Sequence, residues 1–287
     1  MTFAQLAGGA AVLVALCSGV AQAQGYDPAA RYDIDDVMGR HPHDVSELPT
    51  REEARGRPVT FDLSMSGTYS SNAGSVRTDP IDAGYLTPAF GINVTPVAVG
   101  GGWDIGGGAL IDADYYTSDD DAFGEGRLEG FAFASRTLGP GVFTAEVILI
   151  GIFSNDFNDH DLDLRIADLT YSVEMGPLDA EVSAEYQGSD IAELRRARLT
   201  AMVGHTWDTP VLGHEITLEG DVAFSDFNDG LNTNRNDATA AVVLVAEKDL
   251  GHGWSLEWEA ALVHRFSNRE QSRFDAFDLG VTVAAAF

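Results

Sequence analysis

Acidic side chains recur at alternate positions of the apolar-rich segments. Their type and spacing are the strongest indication in the sequence of a functional surface. Between residues 178 and 187 the apolar side chains occupy even positions, whereas Asp179, Glu181 and Glu185 occupy odd positions. A two-residue period places alternate side chains on opposite faces of an extended strand. Carboxylates gathered around a confined aqueous space attract cations and repel anions. The acids assigned to polar faces in this way include Asp104, Asp112, Asp114, Glu146, Glu181, Glu185, Glu215, Glu219, Asp221, Glu257 and Glu259.

Few basic side chains share those polar faces. The period assigns Arg165, Arg196, Arg198 and Arg265 to them. The excess of acids over bases predicts a lining that selects for cations, with Arg196, Arg198 and Arg265 among the charges that set the selectivity.

The histidines of the patterned region are the candidates for a catalytic base. Nucleophilic catalysis needs a nucleophile, a base and a group that orients the base, and no such set accompanies these histidines in the sequence. We therefore predict no catalytic residue and no cofactor. One alternative is Asp/His chemistry at a barrel rim, for which His160 between Asp159 and Asp161 is the candidate. The five histidines are His160, His205, His214, His252 and His264.

Three acidic segments supply oxygen atoms that suit Ca²⁺. They span residues 118–121, 156–159 and 226–230, and none has the spacing of an EF-hand loop. Solvated loops are the simpler interpretation, so the metal content stays open at this point.

The overall charge excludes one class of partner. The chain has 45 acidic and 17 basic residues and a formal net charge of −28, whereas nucleic-acid binding needs clustered Lys and Arg. The hydrophobic content of 45% is too high for a disordered acidic chain. No apolar run after residue 23 is long enough for a transmembrane helix. The remaining classes are an exported all-β domain and an outer-membrane β-barrel.

The first 57 residues differ from the rest. An apolar stretch from Ala10 to Leu16 precedes Ala21-Gln22-Ala23, which predicts a signal peptide over residues 1–23. Cys17, the single cysteine, would leave with it, so the mature chain would form no disulfide. Residues 24–57 are polar and unpatterned, which favours a periplasmic leader, with a plug folded into a barrel as the alternative.

The pattern of residues 58–287 predicts a series of β-hairpins. Segments of about ten residues alternate apolar and polar side chains, and they predict about twelve strands, an even number. Short links rich in Gly and Pro alternate with longer acidic or Asn-rich links, as in the periplasmic turns and outer loops of membrane barrels. Two segments are irregular: the faces of Phe131 and Phe133 are undecided, and a parity change at Ala167-Asp168 predicts a bulge.

Aromatic residues fall where the predicted strands end. This placement predicts two girdles at the membrane interfaces, one of Trp103, Phe143, Trp207, Trp254 and Phe287, the other of Tyr69, Tyr115, Phe153, Tyr186, Phe224 and Phe266. The last segment, Leu279–Phe287, alternates and ends on an aromatic residue, and it resembles the C-terminal signal of Gram-negative outer-membrane barrels.

On these features the chain from Val59 to Phe287 resembles small Gram-negative outer-membrane porin-like proteins. The resemblance is architectural, and it implies a single up-and-down antiparallel transmembrane barrel with both termini periplasmic. It also implies contact with outer-membrane lipids and lipopolysaccharide, and reading of Phe287 by the barrel assembly machinery. A soluble β-sandwich or lipocalin-like barrel, with the apolar face turned inward, is the alternative.

A narrow acidic lumen predicts a passive, cation-preferring channel for small cationic or neutral solutes. Two other functions stay open: an export pore for a neutral or amino-sugar exopolysaccharide, and a closed structural barrel. Strict alternation would also turn Ile148, Ile150 and Ile152 inward, which predicts an apolar lumen patch where residues 24–57 or a substrate would dock.

Overall fold

The computed structural model describes residues 58–72, 82–117, 124–154, 156–207, 211 and 213–287. These residues form one closed antiparallel barrel of twelve strands, which confirms the predicted fold class. The predicted signal peptide and the polar leader lie outside the described residues.

Each strand pairs with its neighbours in the chain, and β1 pairs with both β2 and β12. The two-residue segment Tyr115–Tyr116 extends β3 along β2. The strands are β1 (Val59–Ser70), β2 (Ala83–Gly100), β3 (Trp103–Ala113), β4 (Glu125–Leu138), β5 (Gly141–Ser154), β6 (His160–Met175), β7 (Leu178–Ser189), β8 (Arg196–Thr206), β9 (Glu215–Phe227), β10 (Arg235–Gly251), β11 (Trp254–Ser267) and β12 (Phe274–Ala286).

The barrel closes through backbone hydrogen bonds between the first and last strands. Leu63 lies opposite Ala285 in the β1–β12 register. The Phe287 N–H donates to the Phe61 carbonyl at 2.9 Å, and the Phe61 N–H donates to the Phe287 carbonyl at 3.2 Å. Among the described strands, closure leaves no sheet edge unpaired. An unpaired edge would be costly in a membrane, because no water is present there to satisfy its backbone groups.

The connections differ between the two ends of the barrel. At one end, here called the turn end, residue pairs such as Gly139-Pro140 and Gly176-Pro177 connect the strands. Gly139 and Gly176 have φ of 63° and 69°, a left-handed conformation that glycine adopts without strain. At the other end, the loop end, the longer connections contain short 3₁₀ helices at Ala192–Leu194, Gly230–Asn232 and Glu270–Ser272.

The outer surface is an apolar belt between two aromatic girdles. Large apolar side chains such as Val147, Leu169 and Leu244 are exposed on the outside. Ten residues of β5 separate Phe143 at the turn end from Phe153 at the loop end. At about 3.4 Å per residue and a tilt near 40°, they span about 26 Å, close to the roughly 25 Å apolar band of membrane barrels. In the described part of the chain no helix is long and apolar enough to cross a membrane.

The two irregular segments have one cause, and the predicted bulge is wrong. In β4, Phe131 and Phe133 point inward and are buried. The β6 registers with both neighbours run without a shift through Ala167-Asp168. The apolar parity changes there because the inner face itself is apolar toward the loop end. Arg165 consequently lies on the outer face and is exposed, not in the lumen.

Glycines of β3 make room for the inward phenylalanine rings. A Cβ added at Gly106 would lie 2.5 Å from a Phe133 ring carbon, and one at Gly108 would lie 2.8 Å from a Phe131 ring carbon. The rings therefore lie over the glycine backbone, and the aromatic side chains cover a stretch of strand that has none of its own.

Candidate functional site: the inner wall of the barrel

The candidate site is the inner wall, which is ordered into transverse rows by the strand register. Residues directly opposite each other on neighbouring strands lie about 5 Å apart and form a row that crosses the strands. One row runs through Phe133, Glu146, Asp168, Glu185 and Arg198 on β4 to β8. The register thus brings together charges that are far apart in the sequence.

The structure places all the predicted selectivity residues on the inner face. Arg165, the fourth arginine that the period assigned to the polar faces, lies on the outer face. The selectivity residues in the turn-end half keep part of their surface exposed, which is consistent with an aqueous space. This group comprises Asp104, Glu181, Glu215, Glu219, Asp221, Glu257 and Glu259, and Glu174, Asp179 and Glu247 lie with it.

The inward arginines lie in the loop-end half, each beside a carboxylate or an aromatic ring. Arg196 Nε lies 3.6 Å from Glu185 Oε1, and both side chains are buried. Arg265 is 1% exposed, with its guanidinium carbon 4.5 Å from the centre of the Phe274 ring. Arg198 lies opposite Glu185 in the register.

Asp112 and Asp114 lie in the loop-end half of the inner wall, as the arginines do, and Glu146 lies near its middle. Arg127 donates to Asp112 at 2.7 Å, and the Thr87 hydroxyl donates to Asp114 at 2.5 Å. Glu146 is 8% exposed.

Sequence reasoning missed several charged residues of the inner wall, among them Arg127, Glu129 and Asp168. Arg127 and Glu129 lie in β4, whose faces the sequence left undecided, and Asp168 lies at the position mistaken for a bulge. Glu129 is 1% exposed. The signal that could have found them is an uninterrupted two-residue period across an apolar inner face.

The predicted apolar lumen patch is confirmed. We call it the apolar wall, and it occupies the loop-end half of the inner surface on β4, β5 and β6. Leu194, from the loop that joins β7 and β8, is buried in the same cluster, and Ile191 packs against it. The strand residues of the apolar wall are Phe131, Phe133, Ile148, Ile150, Ile152, Leu162, Leu164 and Ile166.

Hydrogen bonds hold the Leu194 loop to its neighbours. The Gln187 side chain donates to the Leu194 carbonyl at 2.7 Å. Arg195 forms an ion pair with Asp229 of the next long loop at 2.9 Å. The Leu231 N–H donates to the Glu193 carboxylate at 3.1 Å. The two loops therefore form one connected unit over the loop end.

The histidines do not form a nucleophilic site in the described residues. Their side-chain hydrogen bonds go to carboxylates: His160 Nε2 lies 2.9 Å from Asp163, and His264 contacts Asp275 on the outer surface. No ring nitrogen of a described histidine bonds a hydroxyl. That the protein is not an enzyme stays a prediction.

The acidic loop at residues 156–159 is organised by its own hydrogen bonds. Asp156 accepts from the Ser154 hydroxyl at 2.6 Å and from the Asn158 N–H at 3.2 Å. These bonds, the Ser154 bond first, hold the pKa of Asp156 below its usual value. In the described residues no group of three or more potential ligands is placed to hold a metal ion. The segment 118–121 lies outside the described residues.

Comparisons with solved structures agree with this architecture. The COG4313 outer membrane channel from Pseudomonas putida F1 superimposes with a TM-score of 0.57 at 12% identity, covering 86% of this chain and all of the other. The chain has the fold of an outer-membrane β-barrel. A KdgM porin (TM-score 0.47, 11% identity, 79% of this chain and 99% of that one) and the translocator domain of the autotransporter NalP from Neisseria meningitidis (0.44, 13%, 90% and 97%) are more distant. No family model and no curated protein matches the sequence.

Proposed function

We propose that this outer-membrane barrel is a passive, cation-preferring channel for small cationic or neutral solutes. The observation that carries the proposal is the distribution of charge on the inner wall. Carboxylates with partly exposed side chains line the turn-end half, and no described Lys or Arg lies on the inner face there. The turn end faces the periplasm in this proposal, and the loop end faces the exterior.

The arrangement favours cations for a physical reason. Carboxylates around a narrow path with low-dielectric walls sum to a negative potential. The potential of the carboxylates extends over about one Debye length, about 10 Å at 0.1 M salt. This distance is comparable to the radius of such a barrel. The arginines do not cancel this potential in the turn-end half, because they lie among carboxylates in the other half.

The proposed partners follow from the outer surface and the chain terminus. The apolar belt would contact membrane lipids, and the loop end would contact lipopolysaccharide. The barrel assembly machinery would read the terminal Phe287. Binding of a polysaccharide in the lumen is an alternative that no contact of the described residues favours.

Reversal potentials in planar bilayers test the proposal. We expect the purified protein to pass K⁺ over Cl⁻ in a KCl gradient, and to lose this preference in molar salt. Glu219→Gln combined with Glu259→Gln removes two inner carboxylates and should lower the K⁺ preference. The control, Asp163→Asn with Asp275→Asn, removes two exposed carboxylates from the outer face and should leave it unchanged. An anion preference would refute the proposal.

A closed structural barrel is the second candidate, and the burial of the inner wall favours it. In the loop-end half, inward side chains such as Ile148, Phe227 and Asp278 are 1% exposed. A protein that inserts stably into bilayers and conducts no ions would support this function over the channel.

A further inference from the structure

A groove on the outer surface crosses the loop-end girdle between β9 and β11. Phe224, Ala238 and Phe266 lie side by side in the register of β9, β10 and β11. The two rings are 58% and 59% exposed, and only the methyl group of the alanine lies between them. Ala240, the next outward residue of β10 toward the turn end, continues this floor. The groove has a volume of about 630 Å³, and its two walls stand on strands about 10 Å apart.

Two arginines stand at the loop-end edge of this groove. Arg273 is exposed and lines it, and its Nε donates to the Ser267 carbonyl at 2.7 Å. Arg269 donates to the Thr233 carbonyl, in the loop that leads into β10, at 3.0 Å. Neither arginine forms an ion pair with a carboxylate in the described part of the chain. A guanidinium carries several N–H donors in a planar fork, so both keep donors for a further acceptor.

The carboxylates around the groove either have partners or lie apart from the arginines. Asp275 is contacted by His264 on the outer face. Asp237 points inward, where its fully buried carboxylate pairs with Arg235 at 2.5 Å. Asp226 stands on β9, three strands from β12, about 14 Å away. The positive charge at the loop-end edge is therefore left for a group from outside the chain.

From these observations we infer that the groove is a binding site for lipopolysaccharide. A phosphate of its lipid A lies against Arg269 and Arg273, because a guanidinium binds phosphate through paired N–H donors. One acyl chain lies on Ala238, between Phe224 and Phe266.

The depth of the groove in the membrane agrees with this ligand. Aromatic girdles of membrane barrels lie at the level of the lipid headgroups. The arginines lie at the loop-end edge of the girdle and the alanine floor extends from it into the apolar belt, so a phosphate and an acyl chain of one molecule reach both. The inference rests on the orientation given in the proposed function, in which the loop end faces the exterior, and it adds a defined site to that general contact.

Lipid A with and without its phosphates tests the inference. The full processed chain, folded in detergent, is titrated with each lipid, and native mass spectrometry measures the fraction of protein that carries one lipid. We expect the phosphorylated form to bind with a Kd about 10- to 100-fold lower, the range expected for hydrogen bonds to a charged group. Equal Kd values for the two forms would overturn the inference.

Variants separate the two halves of the site. Arg273→Gln should reduce the preference for the phosphorylated form, and adding Arg269→Gln should reduce it further. The matched control is Arg136→Gln, which removes an exposed outward arginine beside Trp103 at the turn end and should leave the preference unchanged. An equal effect of Arg136→Gln and Arg273→Gln would contradict the site.

Filling the floor of the groove tests the acyl contact. Ala238→Leu should weaken the binding of both forms of lipid A, whereas Ala132→Leu, on the outer face of β4 and six strands away, should not. Unchanged binding by Ala238→Leu would reject this placement of the acyl chain. A dimer of the wild-type protein that Ala238→Leu dissociates would show that a second copy covers the groove instead.

The lipid source and the proposed function are tested separately. Phosphatidylglycerol bound as tightly as lipid A would overturn the assignment to lipopolysaccharide. If the protein conducts no ions, the channel proposal fails, but phosphate-dependent binding that Arg273→Gln weakens would still support the site. A cation-selective protein that does not prefer phosphorylated lipid A would reject the site and leave the channel in place.

Discussion

Replacement of Val147 by arginine should destabilise the barrel strongly. Val147 lies on the outer face of β5 with 52% of its surface exposed. Its neighbours across the strands are Ala132 and Ala167, so no outward carboxylate lies directly opposite to pair with an introduced guanidinium.

The depth of the residue sets the magnitude. Val147 is four residues from Phe143 and six from Phe153, which places it about 10 Å and 16 Å from the two girdle levels along the barrel axis. It therefore lies near the middle of the apolar belt. Arginine at the bilayer midplane of a membrane barrel costs about 2–4 kcal/mol. This corresponds to roughly a 30- to 1,000-fold reduction of the folding equilibrium constant.

Reversible unfolding by guanidinium chloride in liposomes measures this cost. The matched control is Thr144→Arg on the same strand, because Thr144 points into the lumen beside Glu146. We expect the control to lose less than about 1 kcal/mol, since the guanidinium can stay hydrated and meets a carboxylate. Equal losses for both variants would refute the assignment of the outer face to lipid.

Three further outcomes are expected. Asp159→Cys should react with a membrane-impermeant maleimide on intact cells, and Pro177→Cys should not. The assay has no background from native thiols, because the single native cysteine lies in the predicted signal peptide. Labelling of Pro177→Cys alone would show that the topology is the reverse of the proposed one. Gly106→Ala should cost about 1–3 kcal/mol by overpacking against the ring 2.5 Å away, whereas Gly130→Ala, which meets nothing within 4 Å, should be near neutral in the same unfolding assay. Because the folded pKa of Asp156 is depressed, its hydrogen bonds should persist above the ordinary aspartate pKa of 3.8 and be lost as pH falls through the lower folded value, which NMR titration of the loop measures.

The two-residue period explains why the sequence predicted so much of the fold. In strands such as β7 each apolar residue faces lipid and each polar residue faces the lumen, so the pattern alone assigned Glu181 and Glu185 correctly. The short turns could also be predicted from the sequence, because Gly139-Pro140 and Gly176-Pro177 are residue pairs that favour a turn over a continued strand.

The same logic failed where both faces of a strand are apolar. In β4 and β6 apolar residues occupy both faces, so alternate positions do not differ in polarity. Phe131 and Arg127 therefore had no assigned face, and Asp168 suggested a bulge. The pairing register was needed to decide them. A strand cannot be assigned from its own residues when its two environments, lipid and apolar wall, select the same side chains.

The sequence by itself determined the closed barrel, its twelve strands, the direction in which most side chains point, and the acidic character of the lumen. These are local properties that depend on spacing along one strand. Only the tertiary structure decided that the arginines lie among carboxylates at the loop end, that Glu146, Asp168 and Glu185 are paired across neighbouring strands, and that a loop leucine packs on the apolar wall. Those facts depend on the register between strands, which hydrogen bonds across the whole sheet establish together.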